Sequence, residues 1–302
     1  MSTVLDLISE PWTQVFMRRA FLVALFAGIV CGVIGTFVVL RGMAFIGDAV
    51  AHAVFPGIAI GYVLQANLAI WGGIAGVATA FTVATVSQNR RLKEDTVIGV
   101  FFAFAFALGV VLVSTQSNYT GDLASFLFGQ ILGISDADVW IVGGVGAVLV
   151  VVTLLARKEL VAVSVDREMA AASGLSVFWL DVLLYVMVTL AIVISLQAVG
   201  NILVLALLVT PAAAARMLTD RLDVMMLLAA CIGGAGGVGG LYLSYHHDLA
   251  SGGLIVLVLT TVFFLSWILA PRHGLIAHRR AAQRHSEGLV LEPALDENDS
   301  HL

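Results

Sequence analysis

RGMAFIGDAVAHAVFPG, residues 41–57, places an acid and an imidazole in a stretch otherwise apolar enough to lie in a bilayer. Asp48 and His52 are four residues apart, a spacing that stacks both side chains on one face of a helix. Counting ~1.5 Å per residue from Arg41 as a headgroup anchor puts Asp48 roughly 10 Å deep and His52 near mid-membrane. An ionisable group there costs on the order of 2.5–3.5 kcal/mol even on lenient insertion scales, so such residues face a bundle interior, a partner or a wet path. Pro56 lacks the amide that would bond four residues back, which frees the His52 carbonyl. The segment therefore offers a carboxylate, an imidazole and a backbone oxygen, a mixed set suited to a divalent transition metal. A structural Asp–His pair and a proton relay are the competing readings.

The surrounding composition sets the fold class. With 60% hydrophobic and 12% charged residues in 302, the chain reads as an all-α polytopic membrane protein of one transmembrane domain. Apolar runs fall near 20–40, 45–64, 68–87, 96–114, 137–156, 176–198, 201–218, 223–244 and 253–270, about nine candidate helices. Short links at 65–67 and 199–200 make their neighbours antiparallel hairpins. Residues 1–19 lack a cleavable signal pattern and form an N-terminal interfacial segment, with Trp12 and Phe16 as headgroup-level anchors. Residues 20–272 form the membrane domain, and 273–302 a cytoplasmic tail whose acids mark it as disordered. Cys31 and Cys231 fall in apolar runs and read as small buried hydrophobes.

Charge placement orients the chain. Threading the nine runs puts thirteen of the fifteen Lys and Arg residues on one side and only Arg18 and Arg19 on the other. The loops at 88–95, 157–175 and 219–222 and the tail are then cytoplasmic, in a multi-pass protein of the cell inner or plasma membrane. Gly28/Gly32 in the first run, and Gly233/Gly237 with Gly236/Gly240 in the eighth, repeat the small-xxx-small spacing that lets helices approach closely in lipid. The piece at 125–135, after 118–122, is too short to span and reads as re-entrant on the outer side. Pro211 breaks the seventh run as Pro56 breaks the second, each a hinge or packed kink.

Two loop features have weaker signals. The longest inner loop, 156–174, contains a short helix that Ser164 or Asp166 could cap, and Asp95 reads as the cap of the fourth run. Outside, Tyr245, His246, His247 and Asp248 cluster in one loop. His278, His285 and His301 are scattered in the tail. The chain has no glycine-rich phosphate loop, no HExxH, no GxSxG and no CxxC. Uphill transport would draw on an ion gradient or on another subunit.

These residues resemble the integral permease subunits of zinc/manganese ABC importers. The resemblance is carried by FVVLRGMAFIGDAVAHAVFPGIAIGY at 37–62 together with RRLKEDTVIGVFFA, DLASFLFGQIL, SVDREMAAASGL and VGNILVLALLVTPAAAARML, and covers most of residues 18–272. It implies a type II importer architecture: two permease copies, or this chain with a related permease, around a central path, two cytoplasmic ATP-binding subunits and an extracellular metal-binding protein. By resemblance Asp48 and His52 handle the metal, while Val165, Asp166, Arg167, Glu168, Gly174 and Leu175 belong to a coupling helix at about 165–175 that meets the ATPase. Gln130 stands where many relatives carry an acid, and His246 and His247 where aromatic residues are common.

On this reading the chain is not an enzyme, holds no permanent cofactor and binds lipid but no nucleic acid; manganese, zinc or iron is cargo. A proton- or ion-coupled secondary metal transporter is the alternative, and it leaves the 165–175 helix without a role. An intramembrane metallohydrolase lacks a second histidine at ligand spacing within the membrane. The orientation is tested by single cysteines in intact cells. One at Ser173 should be shielded from an impermeant thiol reagent and one at Ser117 or Ser251 labelled, whereas the reverse pattern would invert the topology.

Overall fold

The computed structural model describes residues 10–43, 45–88, 94–114 and 133–270. Residues 90, 91 and 93, most of the outer segment at 118–135 including Gln130, and the tail from 273 with His278, His285 and His301 lie outside them. Among the described residues the chain is helical throughout: α1 (Val15–Leu40), α2 (Ile46–Val63), α3 (Leu68–Val86), α4 (Glu94–Ser114), α5 (Asp136–Leu155), α6 (Arg157–Val165), α7 (Arg167–Ala172), α8 (Val177–Val199), α9 (Asn201–Leu218), α10 (Leu222–His247) and α11 (Ser251–Leu269).

Six of these, α1, α4, α5, α8, α10 and α11, are long and apolar enough to cross a bilayer core; the apolar runs of α2, α3 and α9 are shorter. Of the nine apolar runs that the sequence pattern counts alike, six thus qualify as full spans among the described residues. The first helix begins at Val15, so the boundary expected at residue 19 falls inside it. A helical turn at 10–13 folds back instead, and Trp12 lies against Phe21 with ring centroids 4.6 Å apart.

α1 is the hub of the bundle and is almost wholly buried, packing on α10, α9, α5 and α8. Lipid tails are as apolar as leucine, so close van der Waals packing rather than water exclusion must hold these helices together. Glycine makes that approach possible. A Cβ added at Gly28 would lie 2.4 Å from the Gly233 carbonyl oxygen, and one at Gly233 would lie 2.3 Å from that of Gly28. Gly32 meets Ala229 and Gly237 meets Ala24 in the same seam, while Gly236 and Gly240 face Leu259 and Ile255 of α11. The two glycine stripes of α10 therefore serve two different neighbours.

Both ends of the bundle have ionic contacts. At the outer end Arg19, one of the two charges that break the positive-inside pattern, forms a fork on Asp136 at the start of α5, Nε and Nη2 each donating at 2.6 Å. Its charge is neutralised where the pattern disfavours it. Arg157 pairs with Asp223 at the other end.

Three sequence expectations change. Cys31 is buried, but Cys231 is exposed on the outside of the bundle. Asp95 sits within the first turn of α4, which Glu94 opens, rather than capping it. Tyr245, His246 and His247 form the last turn of α10 instead of a loop, because the helix runs on until Asp248 adopts a left-handed conformation at φ 51°. The His246 ring rests on Tyr242, 4.4 Å between centroids.

The glycine seam makes a stability prediction. Gly28→Ala should lower the unfolding midpoint of the detergent-extracted protein by an amount corresponding to about 1–3 kcal/mol, the usual cost of overpacking. Gly73→Ala, where a Cβ meets nothing within 4 Å, should not.

Candidate functional site

Asp48 lies in the first turn of α2 and His52 one turn later, both on a face that packs toward α4. His52 Nδ1 is 2.9 Å from the Asp48 backbone oxygen and 3.4 Å from Asp48 Oδ1. A carbonyl oxygen only accepts, so Nδ1 donates, and in the neutral ring Nε2 then keeps the lone pair; that is how an outer hydrogen bond fixes the tautomer of a metal-ligating histidine. Phe102 and Phe106 of α4 flank the ring edge-on, with centroids at 4.8 and 5.4 Å. The side chains of Asp48 and His52 are 33% and 19% exposed, so the pair is open on one side. Pro56 lies within α2 one turn beyond His52, and Pro211 is buried within α9, both inside continuous helices.

The pair supplies one carboxylate and one imidazole. Among the described residues no three His, Cys, Asp or Glu side chains cluster to hold a metal. A divalent transition metal takes four to six ligands, so the described residues offer an incomplete set. His246 makes no such cluster either, since Nδ1 pairs with the Tyr242 carbonyl at 3.0 Å.

The 165–175 segment is more finely divided than expected. Val165 closes α6, 81% exposed. Asp166, not Ser164, is the N-cap of α7: its side chain accepts from the amides of Glu168 and Met169, both at 2.9 Å. The helix proper is only Arg167–Ala172. It ends in a Schellman arrangement, Leu175 N–H bonding the Ala170 carbonyl and Gly174 N–H that of Ala171, with Gly174 at φ +85°. Glu168 and Met169 are exposed, and Met169 at 68% continues the apolar surface begun by Val165. Arg167 instead turns inward.

Its partner is a residue that the sequence reading passed over. Arg167 pairs with both Glu94 and Asp181. Asp181, in α8, is wholly buried and accepts from Arg41 Nη1 at 2.6 Å and from Gln88 Nε2 at 3.2 Å. Arg41 Nε also donates to Ser164 Oγ of α6 at 3.1 Å. Arg41, Gln88, Glu94, Ser164 and Arg167 line a cleft of about 820 Å³ beside α7. Asp181 had the same signal as Asp48, a lone acid in an apolar run, WLDVLLYVMVTL. Phe102 and Phe106 had none, being two of many apolar residues in α4.

The chain from residue 13 to 270 matches the model of the ABC 3 transport family. It is 40% identical to the manganese transport system membrane protein MntC of Halalkalibacterium halodurans, over 95% of this chain and 98% of that one. It is 37% identical to the chelated iron transport system membrane protein YfeC of Yersinia pestis, over 93% and 97%. Among solved structures, PsaBC from Streptococcus pneumoniae in complex with Fab matches with a TM-score of 0.79 at 35% identity, covering 89% of this chain and 97% of that one.

Proposed function

The chain belongs to the ABC 3 transport family, and on that premise we propose that manganese is its cargo, with ferrous iron as the second candidate. It is the multi-pass membrane permease of a metal-importing ABC transporter, and ATP hydrolysis belongs to a separate subunit. The manganese assignment follows the relatives' names, MntC for manganese and YfeC for iron. Oxygen and imidazole ligands suit either ion.

The observation that carries the reading of the site is the Asp48–His52 pair, a carboxylate and an imidazole on one helical face with Nδ1 committed to the Asp48 backbone oxygen. Two ligands are too few for a cation in transit. A second permease copy, or a related permease, would complete the set by bringing its own pair to the same path. Metal arrives from an extracellular binding protein, rests between the pairs, and leaves inward when two ATP-binding subunits move the permeases. Phe102 and Phe106 form an apolar wall that offers the ion no alternative ligand. α7 is the coupling helix, its docking surface formed by the exposed Val165 and Met169 with the Asp166-capped backbone between them. Pro56 and Pro211 are the places where α2 and α9 can bend. An exposed apolar patch on a cytoplasmic loop favours this reading over a gradient-driven carrier, which has no use for one.

Uptake by cells expressing the complete transporter tests the site. Asp48→Asn keeps the shape and removes the attracting charge. It should lower manganese uptake by at least about tenfold, the scale at which even outer ligand partners act, in protein that still assembles with its ATPase. His52→Ala should do the same, and the double variant should be no worse than either single because the two act as one site. Uptake should also fall as the medium is acidified, since protonated imidazole has no lone pair to give. Normal uptake by a variant with both residues replaced by apolar ones of similar size would make the pair purely structural.

A further inference from the structure

Asp181 occupies a place that neither the metal path nor the ATPase contact accounts for. It is a wholly buried carboxylate whose two oxygens are divided between two arginines from distant parts of the chain: Oδ1 takes Arg41 and Oδ2 takes Arg167, with Gln88 also on Oδ2. Arg167 belongs to α7. Arg41 caps the end of α1 and stands at the base of the helix that contains Asp48 and His52.

The link from Arg41 to α2 is short, and hydrogen bonds tie both of its ends. Gly42, at φ +69°, and Met43 close α1 with bonds to the Val39 and Val38 carbonyls, at 3.2 and 3.1 Å, and the Ile46 amide then bonds the Met43 carbonyl at 3.2 Å. Met43 is fully buried. A displacement at Arg41 is therefore passed to the first turn of α2, and Asp48 is in that turn. On the other side, Arg167 ties α7 to Asp181 and to Glu94 at the start of α4, the helix whose Phe102 and Phe106 flank His52. The network thus reaches both walls of the Asp48–His52 site from below.

The network is balanced and incompletely paired. Arg41 and Arg167 offset Asp181 and Glu94, while Arg41 Nη2 is buried with no partner. A guanidinium with one unused nitrogen beside a two-oxygen acceptor can exchange partners without stranding its charge. That is the requirement for an element with two discrete arrangements.

We propose that Asp181 is the joint of this transporter: it positions Arg41 and Arg167 so that movement of α7 by the ATPase shifts the bases of α2 and α4 and opens the metal site. The proposal rests on α7 being the coupling helix. Asp181 touches neither metal nor ATPase in this scheme, so its loss should uncouple the two rather than abolish either contact.

The test is the number of manganese ions moved per ATP hydrolysed by the reconstituted complex of permease, ATPase and binding protein. Asp181→Asn should leave the ATPase bound and lower that ratio by about tenfold, within the range of coupling changes seen along such networks. Asp181→Glu should recover part of it. If Asp181→Asn does not assemble, Arg167→Gln decides, because Asp181 then keeps Arg41 and Gln88 and only the tie to α7 is cut; it should lower the ratio similarly. An unchanged ratio, or loss of the ATPase or of folded permease from the Arg167→Gln complex, overturns the proposal. Met169→Asp separates the premise from the inference. If it fails to release the ATPase, α7 is not the coupling surface; if it releases it while the Asp181 and Arg167 variants keep a normal ratio, only the joint is wrong.

Discussion

A carboxylate with no access to water has to be neutralised where it sits, and the inner end of this protein is arranged around that requirement at Asp181. Removing one partner from a buried ion pair costs on the order of 3–5 kcal/mol, whereas well-packed apolar residues in place of the whole pair often cost nothing. Stability alone is therefore a weak reason to keep Arg41, Asp181 and Arg167 together. What the charges add over an apolar core is direction: each hydrogen bond names one partner, and the partners here come from the ends of α1 and α3 and from α4, α6, α7 and α8. Six elements are registered against each other by a group of side chains that could not pack elsewhere in the membrane domain without a large penalty.

The rest of the bundle divides according to how its helices are held. α1, α10 and α11 are pressed together by glycines whose backbones touch, an interface that can neither widen nor slide by fractions of an ångström without losing contact. α2, α3 and α4 pack chiefly on one another, and reach α8 mainly through α3. Gly57 and Gly72 set the α2–α3 approach, with a Cβ on Gly57 falling 2.3 Å from the Trp71 carbonyl oxygen. The Asp48–His52 pair belongs to this second group. The Glu94–Arg167 pair bonds this group directly to α7.

Much of this was legible in the sequence because bilayers impose simple rules. Helix ends fell within a few residues of the apolar runs, and the small-residue spacings of the first and eighth runs mark close helix approaches, although nothing in them named the partner helix. Failures have physical causes too. Arg41 and Asp181 are 140 residues apart, and nothing local to either reveals the other. The cost that singled out Asp48 applied equally to Asp181, which stands near the start of its apolar run, and the sequence reading passed it over. Apolar helices that face lipid on one side and protein on the other have no polar stripe, so the face of α4 that presents Phe102 and Phe106 to His52 could not be read. His246 and His247 were placed in a loop because their polarity outweighed the helical continuity of the residues before them.

α7 shows how local and distant constraints combine. A helix of six residues is far below the length at which an isolated helix holds together in water, since nucleation fixes several dihedrals for one hydrogen bond. Here Asp166 satisfies two orphan amides at one end, and Gly174 lets the chain turn back to satisfy two carbonyls at the other. Those caps make α7 a helix, but they do not say where it points. Its orientation comes from Arg167, whose inward reach to Asp181 and Glu94 turns Met169 outward on the opposite side. On the coupling proposed above, Arg167 sets both which surface the ATPase meets and which part of the membrane domain it can move, and the buried Asp181 that holds Arg167 governs both.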